Sequence, residues 1–166
     1  MKFSWLSAAL GLAAVASAVL GGVFFAFSDF VMKSLAKAQA PAGIEVMQII
    51  NREVFGSLFG RLLWAELLIA LLLAGYACLH FDRRSSALIV AGGALYVFGV
   101  GAVSGAFNVP MNNRLDVMDL STAETALYFK NRFVSDWSFW NHVRTLACVA
   151  ATTCYLWAAA WQLQAN

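Results

Sequence analysis

The side chains able to do chemistry in this chain gather mainly in two short stretches, AFNVPMNNRLD from Ala106 to Asp116 and DWSFWNHVRT from Asp136 to Thr145. In the first, Asn108, Asn112 and Asn113 offer amide donors and acceptors on either side of Pro110. Proline lacks a backbone N–H and disfavours helix at the residue before it, so the chain is expected to turn at Val109 and leave carbonyls free. The asparagines then serve either that opened backbone, as a helix cap, or a ligand; three of them beside Arg114 favour a pocket. In the second stretch His142 is the candidate general base, because histidine titrates near neutrality. Asn108, Asn112 or Asn141, together with Arg144, are candidates for holding a developing oxyanion. Trp137, Trp140, Phe107 and Tyr96 can form an aromatic slot for a flat molecule.

The helical spacing sets a condition on that site. At about 100° per residue, Trp137, Trp140, Asn141 and Arg144 share one side of a helix, and Ser138, His142 and Thr145 share the neighbouring side. His142 and Arg144 therefore point well apart, and one pocket holds both only if the helix is buried on most sides. An aromatic belt at a membrane surface explains the tryptophans. It explains Asn141, His142 and Arg144 less well, since all three enter an apolar run.

Glu66 sits among Leu62, Leu63, Leu67 and Leu68. A carboxyl in such a setting either belongs to a functional site or hydrogen-bonds a neighbouring helix as a neutral acid. Asp29 reads as a solvated charge at a helix end. His80 and His142 are the two histidines, and His80 falls in a loop at the opposite end, so a two-histidine site within one subunit is not expected. A single-histidine haem or a metal held by His142 and Glu66 stays open as the rival chemistry. Cys78, Cys148 and Cys154 lack CxxC spacing and read as packing residues.

The elements that must position these groups are membrane spans. Of 166 residues, 61% are hydrophobic and only 12% charged, where soluble domains carry about a quarter charged residues. Four apolar stretches reach the roughly 20 residues that cross a hydrocarbon core: Trp5 to Phe27, extending to about residue 30, Phe55 to Leu79, Ala87 to Phe107, and the run from 137 to 162. Lys2 and Ala16-Ser17-Ala18 imitate a signal peptide, but the apolar run continues through Phe27 and reads as a retained first span. Net charge is +2 without a basic run, so nucleic-acid binding is not expected. The partners expected instead are the lipid bilayer and a hydrophobic aromatic small molecule, with homo-oligomerisation left open.

The outer connections are long and the central one is short, which implies two halves. Each half has a span, an amphipathic helix near the membrane surface (about 42–52 and 122–134) and a second span. Ser121 followed by Glu124 reads as the capping box of the second such helix. The halves also match at a constant offset of 80 positions: GGVFFAF at Gly21 to Phe27 against GAVSGAF at Gly101 to Phe107, and Asn51-Arg52 against Asn131-Arg132. The pattern reads as a parallel repeat. Glycines at Gly21, Gly22, Gly101 and Gly105 allow close helix approach. Lys2, Arg83 and Arg84 favour cytoplasmic termini in a bacterial inner membrane, although the long connections hold more basic residues.

GVFFAFSDFVM, MQIINREVF, AFNVPMNNRLD and WSFWNHVRT together resemble the DUF1772, or anthrone oxygenase-like, family of small four-span membrane proteins. The resemblance covers almost the whole chain, and the last two motifs carry it most specifically, through Asn108, Pro110, Asn112, Asn113, Trp140, Asn141, His142 and Arg144. It implies an all-α four-helix membrane bundle and oxidation of a polyketide anthrone by molecular oxygen without a tightly bound cofactor. A non-enzymatic binding or assembly protein is the third expectation.

Overall fold

The computed structural model describes residues 5–81 and 85–164. Lys2, Arg83 and Arg84, on which the expected membrane orientation rests, lie outside the described residues. The described residues form five unbroken helices: α1 (Trp5–Lys37), α2 (Ala40–Val54), α3 (Leu58–Leu79), α4 (Ser85–Asp116) and α5 (Ala123–Gln164). All but α2 are long and apolar enough to cross a membrane, so the protein is an integral membrane bundle of four spanning helices.

The bundle forms because each spanning helix is apolar all round and satisfies its own backbone in lipid. α1 and α4 both lie along α5, and α3 lies along α4. Small residues set the spacing. A methyl group at Gly21 would come within 2.8 Å of Cys148 Cβ, and one at Gly101 would meet Leu67, whereas Gly22 and Gly105 face open space. Two of the four expected contact glycines therefore pack against a neighbouring helix. Of the cysteines, Cys148 is buried in this seam, Cys154 is half-buried and Cys78 is exposed.

Three helices run beyond the expected limits of their spans. α4 has 32 residues, about 48 Å at helical rise, and does not turn at Val109. Pro110 is absorbed inside it because Ser104–Asn108 winds as a π-helix, a wider turn that tolerates a missing donor. α1 contains a similar wide turn at Phe27–Val31. The extra turns of α1, α4 and α5 join α2 in a second apolar core of Met32, Ile44, Met47, Leu115, Phe133 and Trp137. This cap stands at one end of the bundle.

The two expected surface helices differ. α2 is separate from α3 because Gly56 and Ser57 interrupt the chain, with the Ser57 hydroxyl capping α3 at Gly60 N. At the offset of 80 those positions become Asp136 and Trp137, which continue a helix, so α5 runs unbroken through both expected elements. Its cap is also shifted by one residue. The Ser121 hydroxyl is bound to Asp119 at 2.8 Å, so Thr122 caps the helix instead, accepting from Thr125 N. The tight turn between α1 and α2 demands glycine: a Cβ at Gly43 would lie 2.2 Å from the Leu35 carbonyl oxygen.

Candidate functional site

Where the cap meets the spans, all five helices enclose a cavity of about 300 Å³. Phe24 and Phe27 of α1, Met47 and Asn51 of α2, and Phe59 and Leu63 of α3 line one side. Ser104, Asn108 and Asn112 of α4 and Trp137 and Arg144 of α5 line the other. Spacings of four residues on α4 and seven on α5 place these groups on single helix faces. The wall is aromatic and apolar, with polar atoms at a few points, as ligand pockets usually are.

Arg144 is 7% exposed and makes no ion pair among the described residues. Its Nη1 donates to Ser104 Oγ at 3.3 Å and its Nη2 to Asn141 Oδ1. Its guanidinium carbon lies 4.3 Å from the Phe24 ring centre and 5.3 Å from that of Trp137. Aromatic faces and neutral oxygens thus stand where a carboxylate would be expected to balance a buried cation. Asn141 is fully buried and positions the arginine from behind: its Nδ2 donates to Phe24 O and Ser28 Oγ, next to the wide turn of α1.

Trp137 is held at both ends. Its indole N–H donates to Asn112 Oδ1 at 2.8 Å, and its carbonyl accepts from Asn108 Nδ2 at 3.1 Å. Three buried polar atoms on the cavity-lining residues have no partner in the protein: Asn51 Nδ2, Asn108 Oδ1 and Arg144 Nε. Buried polar atoms are nearly always satisfied. Two donors and one acceptor on residues lining one hollow are thus left without partners in the protein.

The sequence profile of the family described as anthrone oxygenase matches residues 52–154. This chain belongs to the anthrone oxygenase family. The matched stretch includes Asn108, Asn112, Trp137, Asn141 and Arg144 but ends short of Asn51, Ser28 and the phenylalanines of α1. No curated protein and no solved structure matches the chain.

In this member of the anthrone oxygenase family, the expected site residues separate into four places. Asn108, Asn112, Trp137 and Arg144 come together in the cavity, with Asn141 behind Arg144. His142 is exposed and does not line the cavity, because it projects from α5 away from the face that carries Asn141 and Arg144. A general base must reach the proton it removes, and from this position the His142 ring does not reach the cavity. Asn113 is likewise exposed and outside the cavity.

Phe107 and Trp140 also lie outside the cavity lining. Their rings stack on each other, 3.5 Å between centres and 5° between planes, beside an outer groove. That stack fills the slot expected between them. Tyr96 and Glu66 are fully buried deeper in the bundle, outside the cavity lining. Glu66 is bound by the Ser17 hydroxyl, and His142 is exposed on another helix, so the two do not form a metal pair. Among the described residues no three of His, Cys, Asp and Glu gather as metal ligands.

The residue that sequence reasoning missed is Asn51. It lies seven positions after Ile44 and four after Met47, on the buried face of α2, where it and Gln48 are amides at apolar-stripe spacing. Ser104 was also missed, since one serine in a glycine-rich span carries no signal of its own.

Proposed function

We propose that this protein is a membrane oxygenase that oxidises a flat, phenol-like polycyclic molecule with O2 inside the cavity beneath α2, without a tightly bound cofactor. The observation that carries this reading is Arg144: a buried guanidinium without a carboxylate partner, its Nε unpartnered, beside the unpartnered amide of Asn51. An oxyanion supplies what those donors lack, and aromatic walls at Phe24 and Trp137 suit the flat body that would carry it.

An anthrone that loses its benzylic proton becomes an aromatic anion with its charge largely on oxygen. Arg144 and Asn51 stabilise that oxygen, which makes the proton easier to remove. Glu53, a carboxylate lining the cavity mouth, takes the proton through water in place of His142. The electron-rich ring carbon then adds O2 to give a peroxide. Loss of water leaves the quinone, so anthrone and O2 yield anthraquinone and one H2O. Family membership supports the reaction class, and the donor arrangement supports the oxyanion.

Seated in a bilayer, the cap would stand on the side opposite the chain ends, and the substrate would enter from the lipid. Oxygen uptake by the purified protein in lipid nanodiscs, with anthrone added in the dark, tests the proposal. The wild type should exceed the uncatalysed rate. Arg144→Met should lose on the order of 10²–10³-fold, the usual consequence of removing an oxyanion donor. Arg144→Lys should not rescue it, since an ammonium cannot span Ser104 and Asn141 as the fork does. Uptake at the uncatalysed rate in the wild type would end this reading.

A further inference from the structure

One turn along α3 from the cavity-lining Leu63 lies Glu66, fully buried. From α1, the Ser17 hydroxyl donates to its Oε1 at 2.9 Å, while its Oε2 has no partner. From α5, Tyr155 is fully buried, has a hydroxyl without a partner, and packs on Gly92 of α4, whose neighbour Gly93 lies against Ala70, one turn along α3 from Glu66. Cys148, also on α5, packs on Gly21 of α1, one turn from Ser17. From α4, Tyr96 donates to Leu63 O at 3.3 Å, three residues before Glu66 on α3. No Lys, Arg or His among the described residues pairs with the carboxyl.

Two buried polar atoms without partners, at one level of an apolar bundle, need each other or a shared water. A buried water requires two to four polar partners, and Glu66 Oε2, Tyr155 Oη and the Ser17 hydroxyl supply that number. The position of Tyr155 is built in, since its ring rests on Gly92, where a methyl group would come within 2.8 Å of it. Intramembrane carboxyls are among the groups from which proton relays are built.

We propose that Glu66 and Tyr155 form an internal hydrated site in which the carboxyl carries an exchangeable proton, one helical turn from the ligand cavity. This site goes beyond the oxygenase reading and stands whatever molecule the cavity takes. Its ligand is water, and its chemistry is proton exchange between the bundle interior and the cavity floor at Leu63, one turn along α3.

Infrared spectroscopy of the full chain in nanodiscs tests this. The wild type should show the carbonyl stretch of a protonated carboxylic acid. The band should disappear in Glu66→Gln, move down in D2O, and shift in Tyr155→Phe as the bridge loses its phenol. A wild type without the band, a band that ignores D2O, or one unmoved by Tyr155→Phe overturns the proposal. Should Glu66→Gln fail to fold, the D2O and Tyr155→Phe responses still decide. None of these readouts depends on oxygen uptake, so a failed oxygenase reading and a failed proton site give different results.

Discussion

Asn112 of α4 accepts the indole N–H of Trp137 of α5 at 2.8 Å, so the polar edge of the tryptophan is fixed while its face is left to the cavity. Asn108, one turn earlier on α4, holds the carbonyl of the same residue at 3.1 Å. Two asparagines on one helix thus set the position of an aromatic wall on the next. The same wall meets the Arg144 guanidinium, 5.3 Å from the Trp137 ring centre, so fixing the indole also fixes the surroundings of the cation.

Trp137→Phe tests that clasp while keeping most of the aromatic area. It removes the indole donor and leaves Asn112 Oδ1 without one, at a cost of about 1 kcal/mol. The thermal midpoint in nanodiscs should fall, and binding of a flat aromatic ligand should weaken with it. A double-mutant cycle with Asn112→Ala should give a coupling of about 0.5–1.5 kcal/mol. Additive effects would mean that the clasp contributes nothing.

His142→Gln should behave like wild type. The ring is exposed and outside the cavity, and substitutions at such positions usually stay within about 0.5 kcal/mol, or about twofold in rate. Steady-state oxygen uptake with anthrone is the measurement. A drop of a hundredfold would restore the histidine as the base and displace Glu53 from that role.

Gln48 holds the cap closed. Its buried side-chain amide donates to Leu115 O at 2.8 Å and Met118 O at 3.1 Å, tying α2 to the end of α4. Beside it, Arg52 and Asp116 pair at 2.8 Å on the surface, and exposed pairs contribute only about 0–1 kcal/mol. Gln48→Leu should therefore speed amide hydrogen exchange across α2 while α3 to α5 stay protected, and Asp116→Asn should change little. If both variants exchange alike, the amide latch is not what seats α2.

How much of this was legible in the sequence follows from which forces act locally. Lipid-spanning helices were readable because length and apolarity alone specify them, and Asn108, Asn112 and Arg144 stood out because polar side chains in such runs need partners. The continuation of α4 through Pro110 was not readable, because the π-helical turn that absorbs the proline depends on how Ser104–Asn108 packs against α5. The helical-wheel separation of His142 from Arg144 was visible, yet choosing between them required knowing which face of α5 is buried. The Phe107 and Trp140 stack comes from two helices meeting, which residue spacing within either one cannot reveal.

The α4–α5 seam offers a paired test of that packing. A methyl group at Gly99 would sit 2.5 Å from Ala147 Cβ, whereas one at Gly105, six residues on, meets nothing within 4 Å. Gly99→Ala must therefore push α4 and α5 apart, at a cost of about 1–3 kcal/mol for overpacking. Because Ser104 and Asn108 ride on the same helix, it should also loosen the contacts around Arg144 and Trp137 and weaken ligand binding. Gly105→Ala adds helix propensity without a clash, so its stability should hold or rise by up to about 1 kcal/mol. Thermal unfolding of both variants in the same nanodiscs measures the contrast, and equal shifts would mean that the seam is looser than these distances require.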